Sequence, residues 1–253
     1  MRRILVAGMA ALVAAGACLM AQTPKPKVSR GEAAAYNAMV QAQNNPDALI
    51  AAAEDLLTKY ADTQFKDTAL ALEADAYRQK GDWEKAVIYA DRSMEANPKN
   101  FQSPLTSGEL LVQHTRETDL DRDDKLARAE KDLNLAIENV KAATKPNPNV
   151  TDEQWAGLQK SIVAEATSDL GLAAMTRKKY DDAIADFKTA ADNDPQPAYL
   201  VRLANAYQDA GKHDEAIATC DKVLAEPNLN PRIKAIAENI KAVATRTKGP
   251  AKP

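Results

Sequence analysis

The chain has little cysteine, little glycine and no excess of basic residues, and each shortage argues against a class of protein. Two cysteines among 253 residues cannot build a disulfide-rich scaffold. Nine glycines and few β-branched runs argue against β-sandwiches, barrels and glycine-loop nucleotide folds. The 33 basic and 36 acidic residues nearly balance, so the chain lacks the basic excess of a nucleic-acid binder. About a fifth of the residues are alanine, the strongest helix former, which favours an all-α protein.

Signals for catalysis are equally sparse. The two histidines, His114 and His213, lie far apart in the chain, and two histidines alone do not build a typical zinc site. The sequence contains neither a P-loop nor a GxGxxG motif. We therefore expect a protein that is not an enzyme and needs no cofactor.

The N-terminus has the layout of a secretory signal peptide. Arg2 and Arg3 precede an apolar, uncharged run, and polar residues begin at Gln22. Cleavage after Ala21 leaves 31 basic and 36 acidic residues, a net charge of -5. The expected location is periplasmic or secreted. Cys18 leaves an alternative open, an outer-membrane lipoprotein anchored through a lipid on that cysteine.

The rest of the chain contains no comparable apolar run, so we expect no membrane span in the mature protein. Residues 22–31 read as a flexible leader, and residues 247–253 as a disordered tail. Cys220 is the one cysteine left after cleavage, and its position predicts a buried, unreactive side chain.

Three windows of the chain share one pattern of small residues, aromatic residues and glycine. Two of them have identical spacing, namely Ala74, Tyr77, Gly81 and Ala86, and then Ala204, Tyr207, Gly211 and Ala216. The third supplies Leu170, Gly171, Ala183, Phe187, Ala190 and Pro195. The pattern resembles the tetratricopeptide repeat, in which small residues let two antiparallel helices approach and aromatic residues fill the gaps.

This resemblance implies an all-α, right-handed solenoid of about five helical hairpins and a C-terminal capping helix. The repeat domain is expected to cover residues 32–246. Its units are expected at 32–65, 66–98, 101–146, 151–195 and 197–227, with the capping helix at 231–245.

Spacing predicts that the two middle units are stretched. Prolines at 98, 146, 195 and 227 close successive units at intervals of 48, 49 and 32 residues, against a usual period of about 34. We expect a long helix from Asp124 to Thr144 and another that starts at the capping box Thr151–Gln154. These helices are predicted to pack antiparallel. Alternatively, an apolar stripe on the second helix forms an exposed partner or dimer surface, through Trp155, Leu158 and Ile162.

The family resemblance also implies a function. In tetratricopeptide proteins the first helix of each pair lines a concave groove that accepts a protein segment, so we expect a non-catalytic scaffold or adaptor with a protein or peptide partner. Asn205 matches the asparagine of carboxylate-clamp members, but Val201 replaces their lysine. A mixed polar groove is therefore expected. Its candidate residues are Asp75, Arg78, Gln79, Glu109, Arg202, Asn205, Gln208 and Asp209.

An acidic segment offers a different possibility, a calcium-dependent structural module. Its carboxylates match positions 1, 3, 5 and 12 of a calcium loop, at Asp119, Asp121, Asp123 and Glu130. Position 6 is Asp124, where the loop requires glycine. The other interpretation is a solvated linker whose acidic residues stabilise the start of the next helix.

Overall fold

The computed structural model describes residues 28–248, and every regular element in that range is an α-helix. In chain order the helices are α1 (Arg30–Gln41), α2 (Pro46–Lys59), α3 (Lys66–Gln79), α4 (Trp83–Ala96), α5 (Gln102–Gln113), α6 (Arg122–Ala142), α7 (Asp152–Thr176), α8 (Tyr180–Asn193), α9 (Pro197–Asp209), α10 (His213–Leu224) and α11 (Pro231–Lys248). The predicted signal peptide, Cys18 and most of the leader lie outside the described residues, as does the end of the tail.

Short polar side chains fix where several of these helices begin. Asn45 caps α2 by accepting a hydrogen bond from the Ala48 amide, and Asp82 caps α4 through the Lys85 amide. The predicted capping box at α7 is confirmed. The Thr151 hydroxyl accepts from the Gln154 amide at 3.1 Å, and the Gln154 side chain accepts from the Thr151 amide at 3.0 Å.

The turns that follow α3, α7 and α9 each contain a residue in the left-handed conformation. Gly81 and Gly211 have φ of 79° and 72°, the left-handed conformation of a C-terminal helix cap. In each case the amide of the residue after the glycine donates a hydrogen bond to a carbonyl of the preceding helix, as Lys212 does to the Tyr207 carbonyl at 2.8 Å. The turn between α7 and α8 has the same bonding but places Lys178 at φ 60°, a conformation that strains a side chain with a Cβ.

The two middle helices are as long as the spacing predicts, with 21 residues in α6 and 25 in α7. Arg177, beyond the end of α7, contacts Glu130 and donates to the Asp123 carbonyl at 3.2 Å, near the start of α6. The end of one helix therefore meets the start of the other, as in an antiparallel pair.

The described residues divide into two compact units. The first contains residues 28–110 and 138–157. Helices α1 to α4 pack consecutively in it. The core between α1, α2 and α3 is closed by the Tyr36–Phe65 stack, with ring centroids 4.2 Å apart, and consists of Tyr36, Met39, Leu49, Ala53, Leu56, Ala69 and Ala76.

The second unit contains residues 111–137 and 158–248. One core joins α7, α8 and α9 around Phe187, which is 1% exposed. Gly171 is required there, because a Cβ at that position would lie 2.7 Å from the Phe187 ring. This confirms the expected use of a small residue for close helix approach. A second core joins α9, α10 and α11 through Val201, Ala204, Cys220, Val223, Ala237 and Ile240.

The stripe on α7 is not an exposed surface. Trp155 and Ile162 are buried, and Leu158 is half-buried. The Trp155 ring lies 6.5 Å from that of Phe101, at a tilt. Of the two interpretations of this stripe, burial is confirmed for Trp155 and Ile162, and the exposed-surface alternative is wrong for them.

Candidate functional site

Polar residues of the first unit form a network between α3 and α5. The Arg78 guanidinium contacts the Asp75 carboxylate, with Nε 3.1 Å from Oδ1, and its Nη1 lies 3.6 Å from Glu109 Oε2. Gln79 donates to the other Asp75 oxygen at 2.8 Å. The Glu109 side chain is only 5% exposed, so the nearby guanidinium offsets the cost of burying its charge.

A similar network joins α7 and α9 in the second unit. Arg202 contacts the Ser168 hydroxyl, and its Nη1 lies 3.7 Å from Asp169 Oδ1. The Asp169 side chain is 2% exposed, whereas that of Arg202 is 35% exposed. Each network thus sets an arginine at the surface against a buried carboxylate on the first helix of a neighbouring pair.

Tyr199 lies in the electrostatic field of the α7–α9 network. Burial, followed by the Glu165 and Asp194 carboxylates, raises the pKa of Tyr199 to about 12, despite the opposing effect of Arg202. Its hydroxyl therefore remains protonated at physiological pH. Tyr199 therefore offers a neutral hydrogen-bonding group near the Arg202 cation.

These networks divide the predicted groove residues into two kinds. Glu109 was expected to point outward, and that expectation is wrong, because its side chain is buried against Arg78. Arg78, Arg202 and Asp75 are held by contacts within the protein. Removing either arginine would leave a carboxylate buried without that countercharge, a change that destabilises proteins by about 3–5 kcal/mol.

The remaining predicted residues are available to a partner to different degrees. Gln79, Asn205 and Asp209 are exposed. Asn205 donates to Asp209 at 3.2 Å, within one turn of α9. Gln208 is half-buried and lies 3.2 Å from the His213 ring. The exposed amides and carboxylates on the first helices can exchange hydrogen bonds with a peptide backbone.

Comparison with known families agrees with this geometry. Two family models, both described as tetratricopeptide repeat, match residues 69–102 and 168–231. The first match spans most of α3 and all of α4, and the second runs from the last turns of α7 to the start of α11. The chain therefore contains tetratricopeptide repeats in both of these regions. The comparison with curated proteins found no match.

Solved structures with the same fold include other tetratricopeptide proteins. TTC0263 of Thermus thermophilus is 19% identical, with a TM-score of 0.55 over 83% of this chain and 98% of that one. MamA from Desulfovibrio magneticus RS-1, from residue 41 to its end, is 17% identical, with a TM-score of 0.59 over 78% and 95% of the two chains. At these identities the likeness establishes the helical-hairpin fold alone.

The structure does not support a calcium site at Asp119, Asp121, Asp123 and Glu130. Helix α6 begins at Arg122, so Asp123 and Glu130 lie on a helix rather than in a loop. Basic side chains contact all four carboxylates, because Lys125 lies near Asp119 and Asp121, Arg122 pairs with Asp123, and Arg177 contacts Glu130. Within residues 28–248 no group of three or more histidine, cysteine, aspartate or glutamate side chains is arranged to hold a metal ion.

Cys220 of this tetratricopeptide protein is fully buried in the α9–α11 core, as predicted, and burial raises the pKa of its thiol. A buried, protonated thiol is a poor nucleophile. Among the described helices, none is both long and apolar enough to cross a membrane.

Sequence reasoning missed the most unusual buried residue of this tetratricopeptide protein. Glu73 is only 1% exposed, although a glutamate with the ordinary pKa of 4.5 is charged at neutral pH. The repeat pattern contained a signal, because Glu73 precedes Ala74 where Leu203 precedes the equivalent Ala204. A carboxyl group thus occupies a core position that is apolar in the last hairpin.

Proposed function

We propose that this protein is a non-catalytic scaffold that binds a protein segment on the polar face of its first helices. The observation that carries the proposal is the pair of networks at Arg78 and Arg202. Both anchor first helices to each other and leave polar side chains beside them exposed. Exposed amides beside these networks suit recognition of a peptide by scattered hydrogen bonds.

Photo-crosslinking from the exposed polar positions tests this proposal. A photoreactive residue at Gln79 or Asn205 should trap a partner protein, and one at Glu95 or Lys222 should not. The two control positions are exposed on the second helices α4 and α10. Mass spectrometry of the adducts should give the same partner from both first-helix positions. Equal trapping from all four positions would contradict a first-helix binding face.

Charged substitutions at these exposed first-helix positions should weaken binding of the partner without disturbing the fold. We expect Gln79→Arg combined with Asn205→Arg to reduce partner recovery at least tenfold, or about 1.4 kcal/mol, with an unchanged circular dichroism spectrum. Glu95→Arg combined with Asp221→Arg on the second helices is the control. Arg78 and Arg202 are unsuitable for this test, since their loss would destabilise the buried carboxylates.

We further propose export to the cell envelope, from the basic and apolar character of residues 1–21. The intact mass of the exported protein should fit a chain that starts at Gln22. A lipid-modified chain that starts at Cys18 would instead make the protein an anchored envelope-assembly factor.

A further inference from the structure

Glu73 is a buried carboxyl group that lacks the usual compensation for burial. Neither of its oxygens has a hydrogen-bond partner among the described residues, and both are shielded from solvent. Buried polar groups are nearly always hydrogen-bonded, and buried charges are nearly always paired. The environment of Glu73 therefore disfavours the carboxylate more than water does.

Glu73 lies on the buried side of α3. It lies on the same face of α3 as Ala69 and Ala76, which belong to the core shared with α1 and α2. Tyr89 of α4 is close enough that burial and the Glu73 carboxyl together raise the pKa of its phenol. The Tyr89 ring stacks on that of Tyr77, with centroids 5.0 Å apart.

Two charged residues of neighbouring helices act on Glu73 in opposite directions. Glu54 of α2 repels a negative charge there, and Arg92 of α4, whose guanidinium lies 4.9 Å from the Tyr89 ring centroid, attracts one. Burial has the largest effect, and the balance raises the pKa of Glu73 from 4.5 to about 7. The ionisation of Glu73 thus falls in the physiological range.

We propose that Glu73 is a protonation switch for the packing of the α3–α4 hairpin. As a neutral acid it packs between α2, α3 and α4 as an apolar residue does, and its ionisation loosens α3 from these neighbours. The direction follows from linkage. Because the pKa is higher in the folded state, the stabilising contribution is complete below pH 4.5 and is lost as the pH rises through 7.

The switch can be measured in the intact protein by amide hydrogen exchange. From pH 6 to 8 the opening equilibrium of α3 should rise about tenfold after correction for intrinsic exchange, as calculated from the two pKa values. In Glu73→Leu, which copies Leu203, and in Glu73→Gln, the rise should be less than about twofold. Glu84→Gln, at an exposed position on α4, is the control and should behave as wild type. Identical pH dependence in wild type and Glu73→Leu would overturn the proposal.

Carbon NMR of the Glu73 carboxyl group provides a direct measurement that does not depend on variants of Glu73. Its titration midpoint should lie near 7, and a midpoint near the ordinary value of 4.5 would overturn the proposal. Glu54→Gln should lower the midpoint and Arg92→Gln should raise it. Shifts in the opposite directions would show that these neighbours do not act on Glu73 as described.

Discussion

The α3–α4 and α9–α10 hairpins have the same turn, the same small residues at the helix contact and different interiors. Gly81 and Gly211 adopt the same left-handed conformation. At equivalent positions the α3–α4 hairpin, here called the first hairpin, buries Glu73 and Ser93. The α9–α10 hairpin, here called the last hairpin, buries Leu203 and Val223. One backbone pattern therefore accepts either a polar or an apolar interior.

The two interiors are stabilised by different interactions. Ser93 donates to the Asp67 carbonyl at 2.9 Å and accepts from the Ser103 hydroxyl at 2.8 Å, which links α4 to α3 and α5. Val223 makes no such bond and packs in the apolar core with Cys220 and Ile240. Hydrogen bonds are directional and dispersion contacts are not, so exchanging residues between the two interiors should destabilise each of them for a different reason. Substitutions that exchange the two patterns test this difference.

Transferring the buried acid to the last hairpin should have the largest effect. Leu203→Glu places a carboxyl group among Phe187, Tyr207 and Ala216 and removes a packed side chain. We expect a loss of about 3–5 kcal/mol in the free energy of unfolding at pH 8, measured by urea denaturation. The loss should be smaller at pH 5, where the buried acid is neutral.

Asn205→Glu is the matched control for that substitution, because it adds the same charge to the exposed side of α9. It should change stability by less than about 0.5 kcal/mol. If Leu203→Glu were equally mild, the last hairpin would be as tolerant of a buried acid as the first.

Giving the first hairpin the valine of the last should also destabilise it. Ser93→Val replaces the hydroxyl with a methyl group, adds a second methyl group at a buried position, and leaves the Asp67 carbonyl and the Ser103 hydroxyl without this partner. The expected loss is about 1–3 kcal/mol by thermal or urea unfolding, although the substitution increases hydrophobicity.

Thr189→Val is the control for Ser93→Val, since the exposed Thr189 hydroxyl bonds only within its own helix, to the Ala185 carbonyl. It should be within about 0.5 kcal/mol of wild type. A stabilised Ser93→Val protein would show that the polar interior is dispensable and that apolar packing alone suffices there.

The smallest effect is expected from extending the shared glycine turn to the hairpin that lacks it. Lys178→Gly removes the strain at φ 60° and should raise the free energy of unfolding by about 1 kcal/mol. The exposed pair between Lys178 and Glu117 would be lost, but such pairs contribute little.

Lys179→Gly, one residue further on, is the control for this turn, because Lys179 has a φ of -86° that any residue adopts. It should not stabilise the protein. A gain in Lys179→Gly equal to that in Lys178→Gly would mean that left-handed strain is not what limits this turn.

Helix positions and turns were predictable because they depend on neighbours in the sequence. The Thr151–Gln154 box, the glycine caps and the long helices α6 and α7 all follow from local spacing. Long-range pairs were not predictable in this way. Glu109 looks like a solvated groove residue until Arg78, 31 positions earlier, is seen to cover it.

The same limit explains what was missed in the candidate site. Nothing near Asp169 in the sequence indicates that Arg202 will lie 3.7 Å away on another helix. Conversely, the acidic residues from Asp119 to Glu130 have calcium-loop spacing, but an early helix start and basic neighbours disperse them. Spacing along a chain predicts coordination only if the backbone adopts a loop.

The sequence by itself determined the helical class, the hairpin repeats, their turns and the small residues that let helices approach, because periodicity and glycine conformation are local properties. Tertiary structure alone decided which polar groups are buried. Arg78 and Arg202 became supports for buried carboxylates, and Glu73 became an acid enclosed between helices. Burial depends on residues brought together from distant parts of the chain, and it is burial that changes the energy of a charge.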